Sequence, residues 1–263
     1  MRTTPSSASS MPLAAGAHAT EVSISRVPAA GPPAAGSPAT GSPAAGFTDT
    51  VMQSQQTFRA ALQALAHPGS VHDINADDCG VPSGLSQGMT AMLLTLVDTD
   101  TPVWLPADID DAVLHFLRFH CGCPLVSEPM QARFAVVPWG CTAPDLAQCH
   151  PGDPAYPDTS TTVLLEVNAL HASSQVEAPL TGAADGHLQS MLREADDAGS
   201  AMEQTVLSGP GINGQRTLSV SGLPQDFWTQ WRANHGLFPL GVDVFLIQDN
   251  RLCGLPRTVV AEG

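Results

Sequence analysis

The sequence predicts a layered α/β body, for three reasons. Amphipathic helical stretches alternate with short apolar segments between residues 50 and 255. Several of those segments, among them TTVLLEV (161–167) and VDVFLIQ (242–248), are almost continuously apolar, as a strand covered on both faces must be. Beyond the first 46 residues about 217 remain, and a body of that size buries roughly 70% of its unfolded-chain surface in a single core.

The elements follow in order. Phe47 opens the folded part. From Thr50 onward, Val51, Phe58, Leu62 and Leu65 recur at spacings of seven, four and three and share one helix face, with Arg59 beside it; Pro68-Gly69 stops the helix. A short strand at 70–75 precedes a loop carrying Asp77, Asp78, Gly80, Pro82 and Gly84. Residues 89–97 are apolar nearly all round, which predicts a buried helix leading into a short strand at 102–105. Asp108 is placed to cap a helix whose stripe is Ile109, Val113, Phe116 and Leu117 and which runs out at Cys121-Gly122 before Pro124. Arg118 and His120 fall in its last turn, where a cation opposing the negative end of the helix dipole is worth about 0.3–1 kcal/mol, so a structural role suffices for both. Strands are expected at 133–137, 161–167, 217–220, 242–248 and 251–255. Between them lies an amphipathic helix at 225–235, with Pro224 near its start and the bulk of Trp228 and Trp231. His187 to Ala201 reads as a polar, acidic helix in a surface insertion.

Residues 1–46 hold 12 Ala, 8 Ser, 7 Pro, 5 Gly and 4 Thr. So few large apolar side chains do not offset the cost of ordering a backbone, and the segment is expected to be disordered. Pro28, Pro33, Pro38 and Pro43 recur in it every five residues, the mark of an extended spacer. The expected organisation is therefore a tail over 1–46 and one domain over 47–263, with an insertion at about 171–203.

Ten basic residues stand against 25 acidic ones, and from residue 47 on the balance is 8 against 24. A body this acidic, with its cations scattered singly, repels phosphate backbones and anionic lipid, so neither nucleic acid nor a membrane is an expected partner. All ten basic residues are Arg. The missing ε-amino group removes a Schiff base to pyridoxal phosphate, the Lys of GxxxxGK loops and the phosphate-pairing Lys of kinases. Six cysteines (Cys79, Cys121, Cys123, Cys141, Cys149, Cys253) match no disulfide scaffold, which predicts a reduced, cytoplasmic setting. Pro12, Gly16 and His18 interrupt any early apolar run, and the longest candidate span, 89–97, is far short of a bilayer.

Three constellations bear on chemistry. His120, Cys121 and Cys123 offer ligand types suited to zinc, but no CxxC pair or second cluster accompanies them, and buried free thiols account for them; no metal and no cofactor is expected. SGPGI (208–212) reads as a tight turn between strands rather than a phosphate cradle, since no helix opens after it. Asp243 at the mouth of one strand and Arg257 just past another either line a cleft, where the Arg fork would fit phosphate or phosphonate oxygens, or simply pair or exit to solvent; both readings stand open.

TFRAALQALAHPGSV (57–71), LLTLVDTDTPVWL (93–105), LRFHCGCPLVS (117–127), ARFAVV (132–137), GDPAYPDTSTTVLLEV (152–167), LSGPGI (207–212), FPLGVDVFLI (238–247) and LPRTV (255–259) occur in that order. Together they resemble the PhnH family, the H subunits of the bacterial carbon-phosphorus lyase core complex. The resemblance implies a three-layer α/β/α sandwich like that of pyridoxal phosphate-dependent transferases but without the cofactor site. It implies a non-radical subunit that acts with its partners to transfer the ribose 5-triphosphate moiety of ATP to an alkylphosphonate. It also implies a homodimer that joins the G, I and J subunits and the associated ABC-type ATP-binding subunits. The segment 169–207 is longer than the family usually has, and the Cys121/Cys123 pair departs from it. No autonomous catalytic site is recognised. Arg118, His120, Asp243 and Arg257 are the candidates to face a common anion-binding cleft, and a metal-dependent hydrolase or transferase built on His120, Cys121 and Cys123 is the alternative.

Overall fold

The computed structural model describes residue 1 and residues 43–76, 78–173 and 202–262. Most of the Ala/Pro-rich tail, most of the expected insertion and the polar helix expected at 187–201 lie outside the described residues. The description concerns the unit Ser42–Gly263.

Helix α1 (Thr50–Ala66) is capped reciprocally: the Asp49 carboxylate accepts from the Met52 N–H, and the Gln53 side chain accepts from the Asp49 N–H at 2.9 Å. Its large apolar stripe faces outward, with Val51, Phe58 and Leu62 exposed at 66%, 48% and 49%. The buried face is Thr57, Ala61 and Ala64. The reason is proximity: a Cβ added to Gly254 would lie 2.7 Å from the Ala64 carbonyl, so only small side chains fit between this helix and the sheet. After strand β1 (Val71–Asp73), helix α2 (Gln87–Leu96) is capped by Ser86, whose hydroxyl accepts from the Met89 N–H, and is buried on nearly every side. Helix α3 (Asp111–His120) follows strand β2 (Val103–Trp104) and is capped by Asp110, which accepts from the Ala112 N–H; Asp108, the expected cap, lies too far upstream and serves another loop.

Strands β3 (Leu125–Val126), β4 (Phe134–Val137), β5 (Thr162–Glu166), β9 (Asp243–Gln248) and β10 (Arg251–Leu255) complete a seven-stranded sheet of order β1-β10-β9-β5-β4-β2-β3. Strands β9, β5, β4, β2 and β3 run parallel, and the β9–β10–β1 edge is antiparallel. A second, antiparallel sheet of order β11-β7-β8-β6 is formed by β6 (Ala169–Ser173), β7 (Glu203–Ser208), β8 (Arg216–Ser221) and β11 (Val260–Glu262).

Alternation along the large sheet separates two cores. Val136, Leu164, Phe245, Ile247 and Leu252 point to α1, α2 and α3. Ala135, Val137, Val163, Leu165, Val244, Leu246 and Leu255 point to the second sheet and to helix α4 (Phe227–His235), whose Trp231 is fully buried and donates its indole N–H to the Val259 carbonyl at 3.1 Å. The fold is thus mixed α/β, with few helices. Where the resemblance implies a helical third layer, that face carries, among the described residues, an antiparallel sheet with one helix. The half-buried patterns of β7 and β8 suit a layer covered on one side. SGPGI forms the β7–β8 turn, and the strands at 125–126, 169–173, 203–208 and 260–262 lie outside the strands that the sequence pattern predicts: two are very short and two border the expected insertion.

Asn234 fixes α4 to the start of β9 by giving Nδ2–H to the Val242 carbonyl at 2.9 Å and taking the Val242 N–H at 2.7 Å. Calorimetric or denaturant unfolding should separate the two sides of α1. Gly254→Ala, which drives a methyl into backbone, is expected to cost about 1–3 kcal/mol or more. Phe58→Glu on the exposed stripe should fall within about 0.5 kcal/mol of the parent.

A candidate binding cleft at the strand ends

Open α/β sheets tend to bind ligands beyond the carboxyl ends of their parallel strands. Here that edge holds two adjoining cavities of about 520 and 420 Å³, and both are bordered by Trp139 and Glu166. The larger lies between the loop after β4 and the β8–α4 loop; the smaller lies between the start of α2 and the end of β9.

Glu166, the last residue of β5, is only 5% exposed. Its Oε1 accepts the Ser86 N–H at 2.7 Å and its Oε2 accepts the Trp139 N–H at 2.8 Å. One acidic side chain therefore ties the N-terminus of α2 to the loop leaving β4, and it sits where the helix dipole favours negative charge. Trp139 is 53% exposed, and its ring lies over Gly222, where φ is +86° and an added Cβ would fall 2.2 Å from Cζ3. The loop is held again by Asp108, whose Oδ2 accepts the Thr142 N–H at 3.1 Å and the Thr142 hydroxyl at 3.2 Å. Gln230 of α4 closes the far side, accepting the Leu146 N–H at 2.9 Å and donating to Asp145 at 3.3 Å. Acidic Asp145, Glu166 and Asp249 line the cavities, and among the described residues no Arg or His does.

The residues singled out from the sequence lie elsewhere. Asp243 and Arg257 meet as a bidentate ion pair, Nη2 to Oδ2 at 2.6 Å and Nε to Oδ1 at 3.1 Å. Arg257 also donates through Nη1 to the Pro157 carbonyl at 2.9 Å and through Nη2 to the Ser160 hydroxyl at 2.6 Å. Every guanidinium nitrogen is thus committed to a protein oxygen, and the arrangement fastens the beginning of β9, the end of β10 and the 157–160 turn. Arg118 is exposed on α3. The His120 Nε2 lies 2.8 Å from the Ala44 carbonyl, and its ring packs between Phe116 and Phe119. The strand that follows α3, β3, is separated from β9 by three others, about 19 Å at ~4.8 Å per strand, so the two pairs do not share a cleft.

Cys121 and Cys123 are buried in the helical core, where burial pushes the Cys121 thiol up to about 12 and raises Cys123 as well. Among the described residues no three His, Cys, Asp or Glu side chains gather closely enough to hold a metal ion. Cys141, half-buried at the cleft, is raised by burial and then by the charges of Asp108 and Glu166. Glu166 and Trp139 are not among the residues that the sequence singles out; their only signals in it are a lone acid ending an apolar run and a Trp-Gly pair just after another.

The architecture defines a mixed α/β protein with a ligand-sized cleft at its strand ends. The chain belongs to the PhnH family: the profile of that family, described as bacterial phosphonate metabolism protein (PhnH), matches residues 45–262. The alpha-D-ribose 1-methylphosphonate 5-triphosphate synthase subunit PhnH of Rhizobium meliloti (strain 1021) is 31% identical over 217 residues, which cover 82% of this chain and 94% of that relative. The putative C-P lyase subunit protein HtxG of Stutzerimonas stutzeri is 42% identical over 52 residues, 20% of this chain and 27% of that protein.

Glu166→Gln leaves one of two buried N–H groups facing an amide N–H, so thermal unfolding should report a loss of about 2–3 kcal/mol. Alkylation with iodoacetamide at about pH 8, followed by mass spectrometry, should modify Cys141 first, because the nucleophile is an accessible thiolate. Cys149 and Cys253, buried and pushed up to about 12, should react only after denaturation.

Proposed function

We propose that this chain is a non-radical subunit of the carbon-phosphorus lyase core complex. It acts with partner subunits in transferring the ribose 5-triphosphate moiety of ATP to an alkylphosphonate, during phosphonate catabolism in the cytoplasm. The observation that carries this reading is the alignment with the Rhizobium meliloti synthase subunit, which spans nearly the whole of that relative. The likeness to HtxG, named as a subunit of a C-P lyase, supports it over a shorter stretch.

The proposed partners are a second copy of the chain, the G, I and J subunits and the associated ABC-type ATP-binding subunits. The finer likeness to pyridoxal phosphate-dependent transferases belongs to this proposal too and rests on the family resemblance. A surface role suits α1, whose exposed apolar stripe carries a single charged residue, Arg59, on a chain that is otherwise strongly acidic. Of the four residues expected to hold an anion, Arg118 is exposed and stays in the proposal as an anion contact. Arg257 does not, because its donors are already committed.

Co-expression with the G, I and J subunits should yield a complex that co-purifies, and its omission should abolish adenine release from ATP in the presence of methylphosphonate. Elution of this chain alone, together with unimpaired adenine release by the remaining subunits, would overturn the assignment.

A further inference from the structure

We infer that the Trp139–Glu166 cleft binds a small planar nitrogen heterocycle that is cationic or rich in N–H donors, and that it does not bind phosphate or phosphonate. This goes beyond the assembly reading and does not depend on it.

The volumes of the two cavities, about 520 and 420 Å³, are those of sites for small organic molecules. A helix N-terminus at the end of a parallel strand would ordinarily draw an anion, because its free N–H groups point outward. Here the position is filled from within. The Glu166 carboxylate takes the Ser86 N–H at the start of α2 and the Trp139 N–H beside it, leaving no vacancy for a phosphate oxygen on those two donors. The remaining charged groups of the lining, Asp145 and Asp249, are also acidic and are exposed. Among the described residues, an anion entering the cleft would meet like charge on several sides and no Arg or His, whereas a cation would meet the opposite sign.

The second feature is Trp139. Its ring is seated on Gly222, which has no side chain to displace it, and Trp139, about half exposed, borders both cavities. An indole held in this way is a ready stacking platform, and its negative face attracts a cationic ring. Asn168 and Asp249 line the smaller cavity on the same side and make no side-chain hydrogen bond among the described residues, so they are available to accept N–H groups from the edge of a stacked ring. Stacking surface, acceptors and charge agree on one chemistry, and none of the three suits a phosphonate.

Isothermal titration of the isolated full-length chain tests this with three probes: 1-methylnicotinamide, a planar cation; nicotinate, its anionic counterpart; and inorganic phosphate. The cation should bind at least about tenfold more tightly than nicotinate, and phosphate should neither bind nor compete. Trp139→Ala should abolish the binding and Trp139→Phe should restore most of it, because the aromatic face is what is required. Asp249→Asn, which keeps a residue tolerant of the positive φ found there, should weaken the cation selectively. No heat with the cation, equal affinity for nicotinate, or binding indifferent to both Trp139 variants would overturn the inference. Since no partner subunit takes part, these outcomes are independent of whether the chain assembles into the complex.

Discussion

The cleft depends on one buried acid. Glu166 ends a strand whose three preceding residues, Val163 to Leu165, are apolar and buried, and the cost of burying a carboxylate is met by hydrogen bonds from Ser86 and Trp139. Those two N–H groups belong to segments far apart in the chain, so the bonds are cross-links: they orient α2 and aim the loop after β4. Once that loop is set, Asp108 can hold Thr142 and Gln230 can hold Leu146, and the walls of the larger cavity are in place. The acid that builds the site also decides its electrostatics, since it occupies the position an incoming anion would seek.

A second constraint acts on the helical face. Contact between α1 and Gly254 is so close that the inward face of the helix is restricted to Thr57, Ala61 and Ala64. The bulky residues Val51, Phe58 and Leu62 are thereby left on the outside. In an isolated globule such a stripe would be a liability for solubility. In a subunit of a larger assembly it is surface available for burial. On the opposite face of the sheet Trp231, Phe227 and the apolar rows of β7 and β8 fill the second core.

Much of the element pattern could be read from the residues in order. The helices at 50–66, 87–96, 111–120 and 227–235 and the long strands of the central sheet coincide with periodicity, capping residues and apolar runs. Failures fall where a local signal has two possible outlets. The α1 stripe is a correct helix signal, but its direction depends on what lies opposite. Asp108 and Asp110 are both capable of capping, and the ladder of α3 selects the nearer one. Asp243 and Arg257 are both charged residues at strand ends, and whether they serve each other or a ligand depends on the antiparallel pairing of β9 and β10 that brings the two ends together. Arg118 and His120 share a helix turn, yet the strand order carries that turn away from the Asp243–Arg257 pair.

Composition and pattern alone establish an acidic α/β chain without lysine, unable to use any mechanism that needs an ε-amino group, and carrying the ordered segments of the PhnH family. They do so because hydrophobic period, charge balance and residue type are properties of a chain read one residue at a time. The cleft is of another kind. Residues 86, 139 and 166 are brought together only when β4, β5 and α2 pack side by side, and the pairing of a buried acid with two backbone donors leaves no trace in spacing. Long-range geometry, fixed by strand order and close packing, turns an unremarked glutamate into the centre of the site.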